Sequence, residues 1–277
     1  MTPSHPGRND PCPCGSGRTY GQCCSPNGPA ESSGADVFAE LRRQIAGRNF
    51  DSMEDLQAFA NSFASHRNRA TLNDFHGLSP EQMAGLLYQP FDSPQWVSFS
   101  DHVAAAMDAP IAFLFARLAD AIGERGLKCT AKGNLPRAFC RETAEAFEQR
   151  GHAREIPFGI STEEDFSELH LTRLVAAAAG LIRKHRGRLI LSRECRQLLG
   201  GDGMGAIYPR LLRAQVQRYN WGYADGYPDL PFIQTSFLFT LYLLQRYGAK
   251  DRPGTFYEDA YLRAFPALLD EVEPRPY

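Results

Sequence analysis

A mainly α-helical protein is what the sequence predicts, a helical body with short β-hairpin elements behind a small cysteine-rich N-terminal knot. Three observations lead to that class. Apolar residues recur at three- and four-residue spacing over much of the chain from about residue 36. Only two short stretches alternate in the manner of strands. Four of the seven cysteines fall within thirteen residues near the start.

Composition sets the frame. Of 277 residues, 43% are hydrophobic and 22% charged, which suits a globular chain with a sizeable core. The formal net charge is −2, so attraction to nucleic acid or membrane has to come from a local patch. Met1 to Asp10 has no apolar core segment of the kind a secretory signal carries. Phe232 to Tyr247 is too short to span a bilayer and contains Gln234, Thr235 and Arg246. The expectation is a cytoplasmic, non-membrane protein whose thiols stay reduced.

Residues 1–24 form the first element. The segment GRNDPCPCGSGRTYGQCC spaces its cysteines as C-x-C-x8-C-C. Two close thiolate pairs joined by a short loop can wrap a tetrahedral, thiophilic ion from both sides. Pro11 and Pro13 stiffen the backbone beside the first pair, and Gly15, Ser16 and Gly17 let amide N–H groups approach sulfur. Arg8 and Arg18 offset the −2 charge of a four-thiolate zinc centre, and Tyr20 covers one side of the knot. Cys12, Cys14, Cys23 and Cys24 are therefore the expected ligands of one structural Zn²⁺. A disulfide cluster does not suit a reducing compartment, and the spacing is not a common iron–sulfur pattern. Zinc supplies roughly 10–16 kcal/mol of apparent free energy to a peptide of this kind, so the knuckle should fold only with its metal.

This segment resembles the SEC-C motif, the small zinc-binding module at the C-terminal end of the SecA translocation motor, found also in many otherwise unrelated bacterial proteins. The resemblance implies that Cys12, Cys14 and Cys23 are its three invariant ligands and that Cys24 is the fourth, which is Cys or His in the family. It also implies a protein partner for the tail, such as a chaperone or ribosome. The lysines usual after the Gly-Ser-Gly turn are here Arg18, Thr19 and Gly21. The runs HGLSPEQMAGLLYQPFDSP and LKCTAKGNLPRAF resemble the bodies of uncharacterised bacterial SEC-C-containing proteins.

Residues 25–35, beginning SPNGPAESSG, read as a flexible linker, and residues 36–277 as a helical domain. Val37, Phe38, Leu41 and Ile45 share one helical face, as do Met53, Leu56, Phe59, Ala60 and Phe63. Ser79-Pro80-Glu81-Gln82 has the residues of a capping box with proline at the first helical position. Ile111, Leu114, Phe115, Leu118 and Ile122 make another stripe. Further helices are expected at about 135–150, 163–184, 204–219, 232–247 and 256–270.

Gly126 to Leu135 and Gly187 to Leu199 are the strand-like pieces. Each pairs a glycine turn with alternating apolar residues and a hydroxyl, Thr130 or Ser192, placed to open the next helix. Both resemble the wing-and-cap element of a winged helix, which suggests a tandem repeat and a winged-helix-like part at about 135–200.

From Leu181 to Arg218, nine basic residues stand against Glu194 and Asp202 alone, a local charge of about +7. Arg183, Lys184, Arg186, Arg188, Arg193 and Arg196 are the candidates for DNA or RNA contact, the first three with His185 at the expected wing tip. A solvated face, or internal pairing with Glu163, Glu164, Asp165 and Glu168, is the competing expectation.

Tyr219 to Pro231 reads either as a stacking platform or as a loop folded over the core, with Asp225-Gly226 turning the chain. Cys129, Cys140 and Cys195 sit in apolar contexts as small core residues. His66, His76, His102, His152, His170 and His185 show no metal spacing. Gly200-Gly201-Asp202-Gly203 follows a helix and lacks a lysine, so it reads as a helix-ending turn. No hydrolase, P-loop or dinucleotide motif points to an enzyme. Three function classes stay open: a zinc-binding adaptor or regulator, a nucleic-acid-binding regulator, and an enzyme with dispersed acid and base groups.

Overall fold

The computed structural model describes residues 34–151, 159–225 and 230–270, with Asp10 and Thr19. In chain order the helices are α1 (Gly34–Ala46), α2 (Met53–Arg69), α3 (Pro80–Tyr88), α4 (Pro110–Ile122), α5 (Arg137–Glu148), α6 (Ser167–Ala178), α7 (Arg193–Gly200), α8 (Met204–Gln217), α9 (Gly222–Asp225), α10 (Pro231–Thr235), α11 (Phe237–Tyr247) and α12 (Gly254–Ala264). The strands are β1 (Leu127–Lys128), β2 (Ile182–His185) and β3 (Arg188–Leu191). The mainly helical class with a small antiparallel sheet is as the apolar spacing predicts. The chain divides into two units, one running continuously over Phe99–Asp229 and one made of residues up to Ser98 together with those from Leu230.

In the split unit, α3 starts where its cap dictates. Ser79 Oγ accepts from Gln82 N at 3.2 Å, and Ser79 N donates to Gln82 Oε1 at 2.9 Å. Met83 and Leu86 on α3 and Phe237, Phe239 and Leu243 on α11 are buried, and the two helices pack together. The run expected as one helix at 232–247 is divided at Ser236, whose buried hydroxyl donates back to Phe232 O at 2.7 Å. A hydroxyl in that arrangement loosens the helical ladder.

The continuous unit is built on α4, whose Leu114, Phe115, Leu118 and Ile122 are buried at helical spacing. Pro110 opens the helix and Gly123, at φ 46°, ends it. Leu135 before α5, Leu169 and Val175 on α6, Leu189 and Leu191 on β3, and Ile207 and Leu211 on α8 complete this core. The sheet order is β1-β3-β2, with Leu127 opposite Leu189 and Ile182 opposite Leu191. The order α4-β1-α5-α6-β2-β3 with that sheet is the element order of a winged helix.

Three expectations differ from the structure. The tandem repeat is absent, because β1 and β3 are partners in one sheet rather than equivalent parts of two modules. Thr130 does not open a helix. It closes a turn, its Oγ accepting from Asn134 N at 3.1 Å, and α5 begins after Pro136. The helix expected at 163–184 is also shorter. Glycine at 180 takes φ 73°, releasing the chain from α6 into β2.

Candidate functional site

The β2–β3 hairpin turns through Arg186 (φ 47°) and Gly187 (φ 73°). Two successive positive φ values match the right-handed twist of the flanking strands, the usual solution for a two-residue hairpin loop. The base of the wing is fixed by close approach. A Cβ on Gly126 would lie 2.8 Å from Leu189 O, and Arg188 Nη1 donates to Gly126 O at 2.8 Å. Register then sorts the charges. Leu189 and Leu191 face the core, and Lys184, opposite Leu189, reaches over Gly133 on that side. Arg183 and His185 pair with Ile190 and Arg188 on the other face.

The six basic candidates are thus not equivalent. Arg183, Lys184 and Arg186 are exposed, as is His185, and none of these side chains has an ion-pair or hydrogen-bond partner among the described residues. Arg188 braces β1. Ser192 caps α7 by accepting from Cys195 N at 3.0 Å, which leaves Arg193 exposed in the first turn. Arg196 Nη1 turns back to Leu191 O at 2.7 Å. Of the remaining basic run, Arg210 pairs with Glu194 at 2.9 Å, and Arg218 Nη1 donates to Ala178 O at 2.9 Å. The exposed, unengaged charge is concentrated on the wing and at Arg193.

The acidic segment does not neutralise this patch. Glu163 is fully buried and accepts from Leu135 N at 2.7 Å, from His170 Nδ1 at 2.9 Å and from Arg173 Nε. A carboxylate only accepts, so His170 carries a proton on Nδ1. Its Nε2 is buried with no partner among the described residues. Asp165 accepts from the backbone amides of Thr162 and Ser161, which hold its carboxyl below the usual range. The Glu163 hub was missed in the sequence. Its one signal is His170 and Arg173, a helix turn apart on α6.

The helix that leads into the wing is α6. On α6, Ala177 is exposed and Leu174 half-buried, Leu171 and Ala178 pack against the core, and Arg173 is taken by Glu163. Arg and Lys make the commonest base-edge contacts, and on α6 they are represented by Arg173 alone, which Glu163 engages. The segment after α8 also runs along the helix. Arg218 holds the α6 C-terminal carbonyl of Ala178, and the Tyr223 ring stands 6.3 Å from that of His170 near the other end. Trp221 Nε1 donates to Gln215 O at 2.8 Å. Residues 219–225 are thus tied back at Trp221 while Tyr223 stays exposed, and Gly226 of the expected turn lies outside the described residues.

Cys12, Cys14, Cys23 and Cys24 also lie outside the described residues. The donor set suits zinc chemically, being four thiolates in two close pairs. The other thiols do not compete for the ion. Cys129, Cys140 and Cys195 are buried, and burial pushes both Cys140 and Cys195 up to about 11. Among the described residues no three His, Cys, Asp or Glu side chains are grouped to hold a metal, and no helix is long and apolar enough to cross a membrane.

Comparison with family models matches residues 8–26 to the SEC-C motif and residues 110–204 to the Y4jL N-terminal domain. The first match encloses the four cysteines. The second encloses α4 through α7, the whole winged-helix arrangement. No curated protein and no solved structure matches significantly.

Proposed function

From a chain in which a SEC-C motif precedes a Y4jL N-terminal domain, we propose a zinc-binding adaptor whose tail docks a protein partner while the body presents a second surface. The SEC-C match over residues 8–26 carries the reading. Cys12, Cys14, Cys23 and Cys24 are the residues that would hold the ion. Four protein thiolates leave no open position, so zinc acts as a crosslink that shapes the tail.

The test is metal content and copurification of full-length protein, with and without Cys14→Ser and Cys23→Ser. One zinc per chain, and a partner retained only by the unsubstituted protein, supports the adaptor. Metal-free protein, or a partner kept equally by the variant, removes it.

The unengaged cations of the wing favour a second reading, a nucleic-acid-binding regulator that grips phosphate without reading sequence. Each phosphate contact contributes about 0.9 to the slope of log affinity against log salt on duplex DNA. Replacing Arg183, Lys184 and Arg186 with glutamate should then flatten the slope by about 2–3 in a band-shift series. An unchanged slope excludes the wing.

A further inference from the structure

The split unit contains an open groove of about 860 Å³ between α2 and α3. Its floor is small, Ala64 and Ser65 from α2 and Ala84 and Gly85 from α3, and its walls are Tyr88 and Trp96. The floor seats the indole. A Cβ on Gly85 would lie 1.9 Å from Trp96 Cζ3, so a larger residue would push the ring off α3. Tyr88, by contrast, is 71% exposed.

Amides stand around these rings. Asn61 Oδ1 accepts from Gln57 at 2.9 Å, which directs its NH₂ elsewhere. The side chains of Asn68, Gln89 and Gln95 and the Trp96 indole N–H have no partner among the described residues. The two charged residues of the lining, Arg69 and Glu81, pair with each other at 3.4 Å. The lining therefore offers unused N–H donors beside flat apolar rings and no net charge for an anion to find.

We propose that this groove binds a proline-rich peptide in the polyproline-II conformation. Such a segment complements the lining on each count. Its carbonyls have no internal partner, its prolines present flat apolar faces, and its stiffness lowers the ordering cost of binding. The spacing agrees as well. Asn61 and Asn68 are two turns apart on α2, about 10.5 Å along the axis. A polyproline-II chain repeats the same face every three residues, about 9.3 Å. One peptide can thus offer a carbonyl to each asparagine while the residues between lie over Ala64 and Ser65. This site is independent of the zinc tail and of the wing.

The experiment is a titration of full-length protein carrying Trp221→Phe, which leaves Trp96 as the fluorescent reporter. The probes are a peptide of repeated Ala-Pro-Pro, a Gly-Ser peptide of equal length and a soluble oligosaccharide. Calorimetry on the unsubstituted protein repeats the comparison without the Trp221 change. Saturable binding of the Ala-Pro-Pro peptide is expected, weakened at least about tenfold by Asn68→Ala or Tyr88→Ala, as for an anchor residue of an interface. Both positions are exposed, so the variants keep the fold. No binding, equal response to the Gly-Ser peptide, saturation by the sugar in place of the peptide, or an affinity that neither variant changes overturns the assignment.

Discussion

His76 joins two stretches of chain that lie far apart in sequence. It is 6% exposed, with Nε2 2.9 Å from Ala260 O and Nδ1 2.9 Å from the Tyr247 hydroxyl. The carbonyl can only accept, so the proton sits on Nε2, and Tyr247 can donate to Nδ1. Burial, with Arg263 and Arg246 adding to it, lowers the pKa from 6.5 to about 4. Between those values the unfolded chain binds the extra proton and the native chain does not, so stability is lost as pH falls from 6.5 toward 4. The loss amounts to about 3 kcal/mol. Denaturant midpoints between pH 7 and pH 4.5 should fall steeply, and a His76→Asn variant should remove that part of the slope. An identical slope in both proteins excludes the histidine. None of this was legible in the sequence, where His76 is one scattered histidine among several, because its partners come from more than 160 residues away. Cys140 and Cys195 were legible, since apolar neighbours on the same helical face announce burial.

At the scale of elements, α3 and α4 follow from signals contained within a few residues. The Ser79 box and the α4 apolar stripe need no distant partner to be read. The wing follows similarly from alternation around Gly187. Boundaries of α6 did not, because Glu163 outside its start is a core residue held by contacts that sequence spacing does not reveal. Removing one member of a buried ion pair strands the other. Arg173→Met should cost about 3–5 kcal/mol, read from chemical denaturation. Adding Glu163→Gln should recover part of that cost, and a double variant that is no better than the single one excludes the charge coupling. Arg186 allows a gentler test. Asn tolerates its positive φ, so Arg186→Asn should leave stability within about 0.5 kcal/mol while deleting a wing charge. A larger loss would show that the arginine side chain has a structural duty.

At the scale of the molecule, the metal and the two cores should behave as separate systems. The four cysteines fall within residues 12–24, ahead of the Pro/Gly/Ser-rich stretch, and the three others are buried as thiols, so chelation should leave the far-ultraviolet signal of the helices nearly unchanged while releasing zinc. Collapse of that signal with metal loss would tie the core to the tail. The cysteine pattern was plain in sequence, but the division at Ser98 and Leu230 was not, since no break in composition marks it. That division has a consequence during synthesis. The stretch from Phe99 to Asp229 is continuous, so its core is complete when its last helices leave the ribosome. The first three helices emerge earlier, yet Phe237, Phe239 and Leu243 on α11, which packs on α3, and Ala260, which holds His76, are made only after that stretch. For that interval Met83 and Leu86 lack the α11 side of their packing. A truncated chain ending at residue 229, released from the ribosome, should therefore yield to protease before residue 99 and resist it afterwards.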